Sequence, residues 1–264
     1  MKCAEGLLVK KEEIIYDLFG KYEFHLDLKR GDLESSFYYF LPERYESETQ
    51  RYIKDHLKPG MTAVDIGAHM GFFSILMADC VGARGSVYSF EPEEMNFKKL
   101  QMNLSSNRLT WVTPFHTALS DRSGNRKLMI HANSSGNYLD LAENAMPQNP
   151  GQATQDVSTM MLDEFMENQK LNEVDLIKID AEKSEALILH GGKRTLESGA
   201  ARRIICEAHT TKIDKTDEVR AIFYSYGCRS AVLNSKLSRK PYLSELKPDE
   251  PIYGLQNLIF EKKP

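Results

Sequence analysis

Residues 61–80, MTAVDIGAHMGFFSILMADC, pass from a short apolar run through two glycines into a longer apolar run. TAVDIG has the length and β-branched content of a buried strand, and GFFSILMADC opens at a glycine and is long enough for a helix. Between them lies Asp65-Ile66-Gly67-Ala68-His69-Met70-Gly71. Glycines at such a turn let the backbone approach a ligand closely and let the helix pack on the sheet. By itself the turn is a weak signal, since any tight strand-to-helix connection can use glycine.

A second feature sharpens it. The next apolar run, SVYSF, ends in Glu91-Pro92, about 20 residues beyond Gly71, where nucleotide-binding α/β folds place an acid on the ribose. An ionised carboxylate only accepts hydrogen bonds, and its two oxygens suit two ribose hydroxyls. The turn lacks the GxGxxG spacing of a pyrophosphate cradle, and Asp65 would repel a phosphate. A nucleoside cofactor with a cationic methionyl end fits these residues better than NAD does.

Working outward, strand and helix patterns alternate. EEMNFKKLQMNL carries Met95, Phe97, Leu100, Met102 and Leu104 at helical spacing. TWVTPF, VDLIKID and RRIICEAH read as strands. VDLIKID is almost continuously apolar, as a strand covered on both faces is. SEALILHGGKRTLESG and DEVRAIFYSYG read as helices, and CRSAVLN and GLQNLIFEK as closing strands. This alternation predicts an α/β fold with a mostly parallel sheet and helices on both faces. The stretch 121–160 breaks the rhythm. It contains a possible strand, RKLMIHA, and otherwise reads as a surface loop whose part from Leu139 to Asp156 would cover the acceptor pocket.

Residues 1–46 form a separate extension before a domain spanning 47–264. KYEFHLDL and LESSFYYF alternate apolar and polar residues around KRGD, which predicts a β-hairpin serving as a lid or an added edge. A helix follows from Glu46 to Leu57.

The chain has 264 residues, 41% of them apolar, enough for a real core. Its 34 basic and 38 acidic residues give a net charge of −4, which argues against nucleic-acid binding driven by charge. Cys3, Cys80, Cys206 and Cys228 match no zinc spacing and read as reduced thiols in a cytoplasmic protein. The opening MKCAEGLLVKKEEII lacks the pattern of a secretory leader, and no apolar run approaches the length of a membrane span.

Residues 45–262 resemble the FkbM family of methyltransferases. The resemblance is carried by KPGMTAVDIGAHMGFFSILMA, GSVYSFEPEEMNFKKLQMNL, HTALSD, STMMLDEF, VDLIKIDAEKSEALILHGG and IICEAH. It implies a Rossmann-like class I methyltransferase: a seven-stranded sheet with an antiparallel last strand. It also implies S-adenosylmethionine as cofactor and O-methylation of a sugar or natural-product hydroxyl, free or carrier-bound. Position by position, Asp65, Gly67, Ala68 and Gly71 correspond to the first cofactor loop, Glu91 to the ribose acid, and Pro92 to the adenine edge. Thr117 and Ala118 correspond to the adenine side. His69, through its backbone, and Phe72, at the head of the helix, would line the cofactor. Asp180 would stand near the cofactor amine or the acceptor. Many family members read DxEGxE where this chain has Asp180-Ala181-Glu182-Lys183-Ser184-Glu185. If the glycine position needs positive φ, Lys183 implies a different turn.

Methyl transfer to an alcohol requires alignment and removal of a proton. Asp180, Glu182, Glu207 and His209 are the candidate bases, because strand ends on the carboxyl edge converge on the ligand crevice. Oxygen and imidazole donors of this kind also suit divalent metals, but no spacing demands one and no metal is expected. Two other readings remain open: a non-catalytic module that keeps the fold for binding, and an NAD-dependent oxidoreductase.

Overall fold

A computed structural model describes residues 13–27, 42–130, 137–139, 153–210, 216–234, 242–247 and 254–262. Its elements are β1 (Glu13–Leu18), β2 (Tyr22–Asp27), α1 (Ser47–His56), β3 (Thr62–Ile66), α2 (Phe72–Val81), β4 (Ser86–Phe90) and α3 (Glu94–Ser106). There follow β5 (Val112–Phe115), β6 (Ala118–Leu119), β7 (Gly124–Met129), β8 (Tyr138–Leu139), β9 (Thr154–Met160) and α4 (Leu162–Asn168). The chain continues through β10 (Leu176–Ile179), α5 (Glu185–Gly191), α6 (Lys193–Ser198), β11 (Arg203–Thr210) and α7 (Thr216–Ser225). It closes with β12 (Cys228–Leu233), β13 (Leu243–Leu246) and β14 (Gly254–Lys262).

The main sheet has the order β13-β12-β14-β11-β10-β3-β4-β5. Pairs β5–β4, β4–β3, β3–β10 and β10–β11 are parallel, and β14 runs antiparallel to both β11 and β12. The expected seven strands with one reversed are therefore present, and β13 adds a further antiparallel edge on β12. Alternate residues of each strand feed two cores. Ala63, Val87, Leu176 and Ile205 pack beneath α1, α2 and α3, whereas Val64, Ile66, Ile177 and Ile204 pack beneath α4 to α7.

The described N-terminal hairpin joins β2, within KYEFHLDL, to an earlier strand that the alternation did not suggest. β2 pairs with β1 through Phe19-Gly20-Lys21, with Phe19 and Gly20 at φ 58° and 66°. The apolar Phe19 in the turn hid the reversal. KRGD and LESSFYYF lie outside the described residues. Among the described residues β1 and β2 pair only with each other. Leu18, Phe24 and Leu26 are fully buried in the core beneath α2 and α3. Asp79 of α2 accepts from Tyr22 Oη at 2.7 Å and from Lys21 Nζ. Asn103 of α3 accepts from the His25 N–H at 2.7 Å and donates to the Met70 carbonyl at 2.8 Å.

The surface-loop reading of 121–160 is corrected as well. β6, β9, β7 and β8 form a second sheet in that order, with β7 and β9 antiparallel along Gly124–Met129. Ala118, Leu128, Leu139 and Val157 are its small core. Residues 140–152, the greater part of the supposed cover, lie outside the described residues. The single helix read in SEALILHGGKRTLESG is two, α5 and α6. A Cβ on Gly191 would lie 2.0 Å from the Ser120 carbonyl oxygen, so the chain breaks where it must pass the second sheet closely. Met95 and Met102 are 46% and 40% exposed. The buried residues of α3 are Asn96, Leu100, Asn103 and Leu104, and Asn103 serves polar neighbours on β2 and in the glycine loop. Among the described residues no helix is long and apolar enough to cross a membrane.

Replacing Asn103 with alanine removes the acceptor for His25 N–H and the donor to Met70, both buried. A group left unpaired in the interior costs about 1–3 kcal/mol. Urea denaturation should show a destabilisation in that range, with the hairpin amides losing hydrogen-exchange protection first.

Candidate active site

The site is built where β3, β4 and β10 end together. Gly67, leaving β3 at φ 82°, lies against β10: a Cβ there would stand 1.8 Å from the Asp180 carbonyl oxygen. The N–H groups of Gly67 and Ala68 both donate to the Phe90 carbonyl, at 3.0 and 2.9 Å. Gly71 has φ 96°, and a Cβ on it would come within 2.7 Å of Leu100 Cδ1. The loop is thus clamped against β10, β4 and α3, and glycine is required at both of its ends.

Past these strand ends opens a cleft of about 820 Å³. Gly67, Ala68, His69 and Phe72 line one side, and Glu91 and Pro92 another. The second sheet supplies a wall with Thr117, Ala118, Leu128 and Leu139, and Asp180 and Glu182 flank the opening on the β10 side. Glu91 is buried; its Oε2 accepts from the His69 N–H at 2.8 Å and its Oε1 from the Glu93 N–H at 2.9 Å. Burial raises its pKa, opposed by His69 and by these backbone donors. Thr117 Oγ1 bonds Ser158 Oγ at 2.9 Å, which ties the wall together.

Asp65 stands elsewhere than expected. It is buried behind the glycine loop and does not line the cleft. Its Oδ2 accepts from Ser74 Oγ at 2.6 Å, and Ser89 Oγ continues the chain at 2.8 Å. Burial raises its pKa, and Lys178 and Ser74 work against that rise. Gly71 likewise shapes the loop without lining the cleft.

Among the candidate bases, Asp180, Glu182 and Glu207 offer carboxylate oxygens within 4.8 Å of one another. Acids gather in this way without an ion, and the cation that the chain itself supplies to Asp180 is a lysine. Asp180 and Glu182 line the cleft and Glu207 is buried beside them. His209 lies on β11, opposite Leu255 of β14; its side chain is outside what is described. The glycine departure is resolved differently from expectation. Glu182 and Lys183 sit at φ 44° and 72°, so the left-handed turn survives with a lysine in it. Such a conformation costs on the order of 1–3 kcal/mol for a non-glycine residue. Lys183 Nζ packs 5.1 Å over the Tyr138 ring, a contact that offsets part of it.

Sequence reasoning missed Lys178 and Tyr45. Lys178 is 2% exposed, lines the cleft, and bonds Asp180 Oδ2 at 2.6 Å. Its signal was available: a lysine inside LIKI, a strand otherwise wholly apolar. Tyr45 lines the cleft and packs edge-on to Phe72 at 5.3 Å. No periodicity marks it, because it sits in a turn.

A sheet ordered β5-β4-β3-β10-β11-β14-β12 and parallel but for β14, with a glycine turn and a buried acid at its carboxyl edge, defines a Rossmann-like methyltransferase fold. The methyltransferase FkbM domain matches residues 65–230, and the chain belongs to that family. It is 26% identical over 177 residues to the 31-O-demethyl-FK506 methyltransferase FkbM of Streptomyces tacrolimicus, covering 58% of this chain and 67% of that one. The crystal structure of methyltransferase FkbM from Methylobacillus flagellatus is similar at 15% identity and TM-score 0.49. That match covers 80% of this chain, which spans 50% of the other's length. M. jannaschii TYW2 in complex with AdoMet is similar at 13% identity and TM-score 0.46, covering 96% of this chain and 88% of that one.

Gly67→Ala should force β3 and β10 apart, since the obstacle is backbone oxygen rather than a side chain that can move. A left-handed alanine alone costs roughly 1–2 kcal/mol, and the clash adds to it. The denaturation midpoint should fall accordingly, and affinity for S-adenosylhomocysteine should fall with it.

Proposed function

We propose that this chain transfers a methyl group from S-adenosylmethionine to a hydroxyl of a small-molecule or carrier-bound acceptor. The observation that carries this reading is Glu91, a buried acid at the end of β4 that faces the cleft beside a glycine turn. Its two oxygens, already aimed by the His69 and Glu93 amides, retain lone pairs for two ribose hydroxyls. The absent Cβ atoms of Gly67 and Gly71 leave the loop close to β10 and α3, with His69 and Phe72 at the cleft wall. Thr117, Ala118 and Pro92 would flank the adenine, and Asp180 would face the cationic amine.

S-adenosylmethionine supplies a sulfonium methyl group, whose charge is lost on transfer. The apolar wall of Leu128 and Leu139 excludes water from the line of attack, and positioning of this kind supplies several kcal/mol. Asp180, Glu182, Glu207 and His209 are the groups at the strand ends able to take the acceptor's proton. Imidazole, with an ordinary pKa near ~6.5, is the strongest neutral-pH base among them. O-methylation is supported by the name of the Streptomyces relative, which describes a 31-O-demethyl substrate. A small acceptor rather than a nucleic acid is favoured by the net charge of −4 and by the acids at the cleft mouth.

Glu91→Ala removes two charge-assisted hydrogen bonds to the ribose, each worth about 1.5–3 kcal/mol. Calorimetry with S-adenosylhomocysteine should show affinity at least ~10-fold weaker. Unchanged affinity in a folded variant would contradict the assignment.

A further inference from the structure

Lys178 is the one charged side chain on β10, whose four residues are all buried. Residues two apart on a strand share a face, so Lys178 and Asp180 project together toward α2 and the cleft. The ammonium bonds Asp180 Oδ2 at 2.6 Å and stands 4.5 Å over the Phe73 ring. Two further acids act on it from separate elements, Asp65 from β3 and Glu46 from the turn before α1, and Glu182 and Glu207 bring their carboxylates within 4.8 Å of that of Asp180. Burial alone would depress the ammonium's pKa, but Asp180, Glu46 and Asp65 outweigh it and raise it above the ordinary lysine value. Glu46, itself raised by burial and by Asp180, is held by Lys178 and by Asn257 Nδ2 at 2.9 Å. A lysine so surrounded has no neutral form to offer at working pH, so it cannot take the acceptor's proton. What it can do is keep the acids around it ionised and Asp180 in one orientation.

The geometry points to Lys178 as a positioning residue for methyl transfer, whose fixed ammonium holds the Asp180 carboxylate charged and aimed into the cleft. This rests on the proposed cofactor site, in which Asp180 meets the cofactor amine. Without the ammonium, Asp180 loses the cation at 2.6 Å while the Glu182 and Glu207 carboxylates stay within 4.8 Å, and like charges that close drive a carboxyl toward its protonated form. The sign follows: cofactor affinity in the variant falls as pH falls, because protonation removes the anion that the amine meets.

The probe is S-adenosylhomocysteine, titrated calorimetrically between pH 5.5 and 8 in buffers of differing ionisation enthalpy. Wild type should bind with little pH dependence and no proton release. Lys178→Met should bind more weakly at low pH, by up to ~10-fold per pH unit below its new midpoint, and should release a proton on binding. Lys178→Arg, which keeps a cation, should restore the flat profile. Lys178→Met/Asp180→Asn should bind weakly at every pH with no proton release; it removes both charges together, so it tests the pair even if Lys178→Met alone fails to fold. A Lys178→Met profile parallel to wild type would overturn the positioning role while leaving the cofactor site intact. Failure of wild type itself to bind would overturn both.

Discussion

The approach of β3 to β10 at Gly67 sets the rest of the site. With the Asp180 carbonyl occupying the space of a Cβ, the two strands end at the same height, joined by the Asp180 N–H donating to the Ile66 carbonyl at 3.0 Å. The chain then departs in two directions, through the glycine loop into α2 and through Asp180 to Ser184 into α5. The cleft is the gap between those departures. Sheet twist and parallel pairing alone would leave a crevice there; the backbone contact fixes its floor. That floor brings the glycine loop, Asp180 and Lys178 to one cleft.

Electrostatics follow from the same arrangement. A parallel strand buried on both faces has no water to solvate a charge, and an isolated ammonium there would be strongly disfavoured. Lys178 is tolerated because Asp180, Asp65 and Glu46 converge on it from three parts of the chain. Of these three acids only Asp180 lines the cleft. Asp65, buried behind the glycine loop, meets Lys178 and the Ser74 hydroxyl instead.

What could be read in the residues, and what could not, divides along physical lines. Periodicity reports burial, so most strands and helices of the main sheet, and the strand-to-helix turn at Gly67 and Gly71, were legible. Patterns fail where a residue answers to a distant partner. Asn103 is buried on α3 because it serves the His25 backbone and the Met70 carbonyl. Gly191 ends α5 because Ser120, far along the chain, passes against it. Tyr45 reaches the cleft from a turn that carries no period. The left-handed Lys183 broke a rule that glycine obeys at no cost, and only the Tyr138 ring beside it accounts for part of the compensation. Thr117 and Ala118 line the cleft, but the sheet beside them was read as a loop because β7 and β9 are polar on their exposed faces.

Asn103 connects the part of the chain that looks separate to the part that does the work. Its side chain holds the His25 backbone on one side and the Met70 carbonyl on the other. Met70 lies within the glycine loop, so β2, α3 and the loop share one buried asparagine. Asn107 adds a reciprocal pair with the Glu23 backbone at 2.8 and 2.6 Å, which fixes the hairpin along α3. From the same side Phe19 packs on Phe72 at 5.4 Å, and Tyr45 packs on that ring from the turn before α1. The aromatic residue that opens α2 is therefore braced by two segments preceding the sheet. A loop that borders a ligand cleft gains from a backbone fixed beforehand, because ordering it on binding would subtract from affinity. Part of that ordering comes from residues N-terminal to β3, so the β1–β2 hairpin braces the glycine loop together with α3, β4 and β10.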